Sequence, residues 1–396
     1  MNSLEKNNIP VGYKDSAVGV IPQEWEVDRL GEICLTFKSG TTITSQSIKE
    51  SGLYPVYGGN GLRGYTDSYT HNGDYILIGR QGALCGNINF IRGKAYISEH
   101  AIAVQPNESN SIEFLRYKLD FWNLNRFSES SAQPGLSVEK LVRYKLAVPP
   151  LAEQRKIAEI LGVWDEAIEK QSRLIEKLEL RKRALMQRLL TGRTRLPGFN
   201  TPWQKRRMKD CFEHITDTSN GCEYLPMTIS ARLGLISQKD KFDRVIAGDS
   251  LKKYTHIQKG DFAYNKGNSN LYEMGCIYRL KEQDAVVPFV YICFRPKQNV
   301  IGEFYQHFFI NHGLDRQLKR IITSGARGDG LLNVDKTDFF ELGIVYPPIA
   351  EQKAIAEVLT AADNEIATHR KKLDVLRLQK RGLMQQLLTG KTRVKI

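Results

Sequence analysis

The stretch PPLAEQRKIAEIL at Pro149–Leu161 returns as PPIAEQKAIAEVL at Pro347–Leu359. An offset of 198 residues is too long for a stacked solenoid repeat and fits a duplicated half-molecule. Laid without a gap, residues 149–195 and 347–393 agree at roughly half of their positions and close on LLTGRTR against LLTGKTR. Each copy opens on Pro-Pro, which stops a preceding strand and stands outside a helix interior. Each then runs free of proline to Gly192 or Gly390, a residue suited to the helix C-terminal stop. The expectation is one helix per copy, ~40 residues and ~60 Å long at 1.5 Å per residue.

Steps of four and three from Ile157 pass Leu161, Trp164, Ile168, Gln171, Ile175, Leu178, Lys182, Leu185 and Leu189. The equivalent positions are Ile355, Leu359, Ala362, Ile366, His369, Leu373, Leu376, Lys380, Leu383 and Leu387. Both series follow a heptad seam and are polar at the same two places. A long helix with so narrow an apolar face needs a partner. Packing on a neighbouring globular domain would serve, but the matched registers favour the two helices pairing as a coiled coil. About one domain of chain separates them, and domain termini lie close together, so the pair is expected to be antiparallel. In that register Ile157 faces Leu387, Lys182 faces Ala362, and Lys380 faces the ring of Trp164.

The segments before each helix share a fainter skeleton. Both begin near a tryptophan, Trp25 or Trp203, and Gly73-Asp74, Gly86 and Pro106 match Gly260-Asp261, Gly275 and Pro296. Each has a strand, a polar turn carrying a cation (Arg80 or Lys266), two more strands, and a polar closing loop, SSAQPGLS or SGARGDGLLN. The alternation and turn chemistry predict α+β domains with mainly antiparallel sheets. The division is 1–148, first globular domain; 149–194, first repeat helix; 195–346, second globular domain; 347–396, second repeat helix. Helices kept alike while domains diverge suit two readers of unlike sequences on one duplex, held apart by a rod with an internal pseudo-two-fold axis.

The net charge of +13 favours a polyanionic partner, nucleic acid first. The six cysteines form no C-x-x-C pair and no zinc spacing, so reduced thiols are expected. MNSLEKNNIPVGYKD lacks the apolar segment of a signal peptide, and no apolar run approaches a membrane span. A cytoplasmic chain without membrane contact is expected. No phosphate-binding G-x-x-x-x-G-K-[ST] loop occurs. Gly59-x-Gly61-x-x-Gly64 matches a dinucleotide fingerprint, but the turn-rich YTDSYTHNGD follows it where a helix is required. VPPL and YPPI lack the Asn or Asp and the aromatic of an amino-methyltransferase motif. His307 and His312 are expected to belong to a partly buried helix.

The duplicated PP.AEQ…LM.QLLTG.TR helix after each of two unlike domains resembles the specificity subunit of type I restriction–modification enzymes. GVIPQEWEVDRLGEI, YPVYGGNGLRGY and LPMTISARLGLISQ resemble entries to its target-recognition domains. The resemblance covers essentially the whole chain. It implies a non-catalytic reader of a bipartite, asymmetric double-stranded DNA target. It also implies two modification subunits that use S-adenosylmethionine to methylate adenine, and restriction subunits driven by ATP with Mg. No cofactor is expected in this chain itself. A stand-alone DNA-binding regulator and a coiled-coil adaptor for acidic proteins are the alternatives.

Polar and cationic residues on turns are the candidates for base edges and phosphates. In the first domain these are Arg63, Tyr65, Arg80, Gln81, His100 and Gln133; in the second, Arg232, Lys266, Asn268, Asn270, Ser324 and Arg327. The basic run RTRLPGFNTPWQKRR is open to phosphates or to an acidic partner.

Overall fold

The computed structural model describes residues 9–82, 84–128, 134–218, 224–242, 248–267, 272–322 and 332–396. The chain forms two compact units, residues 1–172 with 371–396, and residues 173–370. Each holds one globular domain, one half of the first repeat helix and one half of the second.

In the first unit, one four-stranded sheet has the order Cys34–Ser39, Ala101–Pro106, Tyr75–Gly79, Ile88–Ile91, all antiparallel. A second has the order Gly61–Thr66, Tyr54–Gly58, Lys94–Ile97, His71–Asn72. The second unit repeats both. Its first sheet runs Phe212–Ile215, Ile292–Pro296, Phe262–Asn265, Cys276–Arg279. Its second runs Gly234–Ser237, Leu225–Ser230, Ala285–Val287, Thr255–Ile257. The expected antiparallel rule needs one amendment, since Tyr54–Gly58 pairs in parallel with Lys94–Ile97, and Leu225–Ser230 with Ala285–Val287. The chain reaches Lys94–Ile97 and Ala285–Val287 only after passing through the other sheet, and so arrives from the same end.

Each domain also carries a helix, α1 (Ile112–Phe121) in the first unit. The repeat helices are α2 (Leu151–Leu189) and α4 (Ile349–Leu387), and α3 (Gly302–Ile310) is the second unit's counterpart of α1. The strands Lys145–Val148 and Gly343–Tyr346 lead into Pro-Pro after pairing with the strands at the domain entrances, Glu26–Arg29 and Gln204–Arg207. None of the twenty seam positions is exposed. In the first unit Ile157 and Leu161 share a core with Met384, Leu387 and Leu388, and with Trp25, Phe114 and Tyr117 of the domain. In the second, Ile355 and Leu359 share one with Met186, Leu189, Leu190, Phe304 and Tyr305. Rising numbers in one helix meet falling numbers in the other, so within each unit the helix segments run antiparallel. The seam ends bury against the globular domain as well as the partner helix, so both packing alternatives hold there.

The lysine pairing is corrected. Lys182 bonds Asp363, beside the expected Ala362, and Lys380 bonds Asp165, beside Trp164. The aromatic face over which Lys380 lies belongs to Tyr117, at 5.0 Å. The register differs by one residue, because a carboxylate offsets more of the lost hydration of a half-buried ammonium than a ring face does.

Candidate nucleic-acid interface

The repeated letters at both ends of the helices explain how each domain is fixed. Glu153 is fully buried and accepts from Trp25 Nε1–H at 3.0 Å and from Arg393 Nε–H at 2.7 Å. Glu351, also fully buried, accepts from Trp203 Nε1–H at 2.8 Å and from Arg195 Nε–H at 2.6 Å. Both guanidinium groups are bidentate, the geometry that best compensates a buried carboxylate. That bond, with Glu24 as a second partner for Arg393, holds each arginine more firmly protonated than usual. Gln154 and Gln352 donate to Pro149 O and Pro347 O and accept from Ser111 N–H and Ile301 N–H, at the starts of α1 and α3. The arginine at the end of one repeat thus secures the glutamate at the start of the other. Gly192 and Gly390 turn the chain at φ +69° and +73°. A Cβ on either would press on Trp203 or Trp25, at 3.3 Å in both cases.

A second duplicated cluster follows. Tyr117 donates to Asp165, which Lys380 also bonds. In the second unit His307 stands where Tyr117 stands, Asp363 where Asp165 stands, and Lys182 where Lys380 stands. His307 Nδ1 lies 3.9 Å from Asp363, too far to bond, while Nε2 is 3.4 Å from Thr360 Oγ1. Burial pushes the His307 pKa down to about 4, against the raising influence of Asp363. Burial likewise lowers the Lys118 ammonium to about 8, where it donates to Leu388 O.

On these supports sit the loops of the predicted readers. Arg80 follows the strand Tyr75–Gly79, and its carbonyl accepts from Leu136 N–H at 2.9 Å. Lys266 follows Phe262–Asn265, and its carbonyl accepts from Leu332 N–H at 2.9 Å. The two cation turns are therefore structural equivalents, each docked by the closing loop of its domain. Arg80 N–H donates to His100 O at 2.9 Å, and His100 Nδ1 lies 3.2 Å from Gln81 Oε1, so these three residues meet. His100 Nε2 is 3.3 Å from Glu99, which ties the imidazole on both sides. Gly59 seats the adjacent hairpin on them. A Cβ there would lie 2.8 Å from His100 O and 3.0 Å from Gly79 Cα. Arg63 is exposed on that hairpin. Tyr65 stands apart, half-buried, paired with Lys49 and touching Gly52. Arg232 is exposed at the tip between Leu225–Ser230 and Gly234–Ser237. Gln133, Asn268, Asn270, Ser324 and Arg327 lie outside the described residues.

The basic run beyond α2 is largely consumed internally. Arg195 holds Glu351, Arg207 and Lys209 share Glu341, and Arg206 lies 3.8 Å above the ring of Tyr346. The Gly59–Gly64 fingerprint is a β-hairpin, which removes the helix a dinucleotide site would need.

Two sheet-rich domains of one topology, each anchored by the same buried Glu–Arg–Trp cluster and diverging in its surface turns, define a duplicated recognition protein. The sequence description "Type I restriction modification DNA specificity domain" matches residues 22–180 and 245–378, and the chain belongs to that family. It is 42% identical over 159 residues to the type I restriction enzyme EcoprrI specificity subunit of Escherichia coli, an alignment covering 39% of each chain. It is 23% identical over 413 residues to the type I restriction enzyme MjaVIII specificity subunit of Methanocaldococcus jannaschii, covering 95% of this chain and 94% of that one. In fold it resembles the crystal structure of the type I restriction–modification S subunit from M. genitalium, with a TM-score of 0.59 and 14% identity, over 92% of this chain and 96% of the other.

Proposed function

We propose that the chain reads a split, asymmetric double-stranded DNA target, one half with each globular domain. In this reading it has no catalytic role. Two modification subunits that methylate adenine with S-adenosylmethionine, and restriction subunits that use ATP and Mg, supply the chemistry. The observation that carries the reading is the contrast between framework and turns. Strand orders, the glutamate clusters and the docking of Arg80 and Lys266 by Leu136 and Leu332 are the same in both units. The turns themselves, GNGLRG from Gly59 to Gly64 and SARLG from Ser230 to Gly234, differ in length and in residue order. A framework held constant under unlike turns suits two readers of unlike base sequences.

Docking of a repeated partner has its own support. Leu180 and Leu378 occupy equivalent repeat positions and are 62% and 69% exposed. An exposed leucine duplicated by the repeat suits two copies of one partner. The test is co-expression with a modification subunit and gel retardation of duplexes at fixed salt. Retention of one split duplex over its scrambled forms is expected. Equal retention of all duplexes would contradict the reading.

A further inference from the structure

Topologically equivalent hairpins, one per domain, each present an exposed leucine next to an exposed arginine. In the first unit these are Leu62, 53% exposed, and Arg63; in the second they are Leu233, 73% exposed, and Arg232. The hairpins join Tyr54–Gly58 to Gly61–Thr66 and Leu225–Ser230 to Gly234–Ser237, at the same edge of the same sheet.

Both turns are pinned from below by a side chain of the other sheet's edge strand. In the first, Asn89 Nδ2 donates to Gly59 O at 3.4 Å. The register passes from Val56–Gly64 to Tyr57–Leu62, so Arg63 is the extra residue of a bulge, the device that re-aims a side chain. Its stem crosses Gly58, where a Cβ would come within 2.7 Å of Arg63 Cδ. In the second, Tyr278 Oη–H donates to Ala231 O at 2.7 Å. The Tyr278 ring lies under Gly234, 3.1 Å from the place of a Cβ, and Gly234 closes the three-residue loop at φ +82°. Leu233 N–H also donates to Ser230 Oγ at 3.4 Å. An apolar side chain on a braced turn gains nothing from water.

We infer that each hairpin is a two-part DNA probe, the arginine taking a phosphate and the leucine making an apolar contact with a base. This rests on the DNA-reading function proposed above. A leucine can discriminate by meeting a thymine methyl or by wedging at a soft base step. The arginine adds affinity without regard to sequence.

The test uses the full chain in complex with its modification subunits and the duplex that this complex methylates. Leu62→Ser and Leu233→Ser are each expected to weaken binding to that duplex about tenfold while leaving binding to scrambled DNA unchanged. Each loss should vanish when the half read by that domain is scrambled, and Leu→Met at either position should restore binding. Arg63→Ala and Arg232→Ala should weaken target and scrambled DNA alike and lower the log–log salt slope by about one. Serine variants that bind the target as the parent does would overturn the inference while the function stands. A parent complex that does not prefer its methylated duplex would overturn both.

Discussion

Arg393 and Glu153 lie 240 residues apart in the chain and meet in a bidentate ion pair, Nε to Oε1 at 2.7 Å, with the glutamate fully buried. Removing the cation would strand a carboxylate that, among the described residues, only Trp25 still serves. Arg393→Met should therefore destabilise the first unit by about 3–5 kcal/mol, and Glu153→Gln in the same chain should recover part of it. Hydrogen exchange should show the loss in α1 and its sheets, with the second unit's Arg195–Glu351 region unaffected. Uniform loss across both units would contradict the assignment.

The Tyr117-to-His307 difference makes the second unit sensitive to acid. Folded His307 titrates at about 4 against an ordinary 6.5, so between these values the unfolded chain binds the extra proton. Stability is then complete above pH 6.5 and falls as pH drops toward 4, by up to about 3 kcal/mol. His307→Tyr should remove this component, so the parent-minus-variant difference in unfolding free energy should slope across that window. A flat difference would contradict it.

Asp165 serves both Lys380 and Tyr117. Asp165→Lys sets two ammonium groups together at a half-buried seam and should cost about 1–3 kcal/mol. Asp165→Lys with Lys380→Asp should regain much of that, giving a favourable coupling in a double-mutant cycle. Additive effects would show that the pair does not set the register.

Leu180→Glu and Leu378→Glu should each reduce recovery of a co-expressed modification subunit, and together reduce it most. Both side chains are exposed, so the melting temperature of the chain should change little. Full recovery with the double variant would remove these leucines from the docking surface.

Much of the framework was legible from periodicity. The seam from Ile157 to Leu387 emerged because apolar residues spaced four and three apart can serve only one face of a helix. The equivalence of Arg80 and Lys266 followed from the flanking Gly-Asp pairs. Hidden from view was the reciprocity of the repeat. Identical ends announced that PP.AEQ and TG.TR mattered, but the glutamate of one copy meets the arginine of the other, and no spacing within a copy encodes that. The lysine partners are hidden for a related reason. Asp165 and Asp363 lie one position beside the seam, at the flanking heptad position where charges pair between helices, and a count of apolar residues alone passes over them. Leu62 and Leu233 carry no signal in the sequence, because an aliphatic residue on a turn has none of the hydrogen-bonding groups of a base reader; a bulge and a braced turn mark them in the structure.

The most direct test is to sequence the methylated adenines in a host carrying the complete complex, with either this chain or a hybrid. In the hybrid, residues 204–346 come from a relative of different specificity. Two unlike half-sites separated by a fixed number of unspecified base pairs are predicted, with the hybrid changing one half and leaving the other intact. A continuous motif, or a hybrid that alters both halves together, would contradict the account.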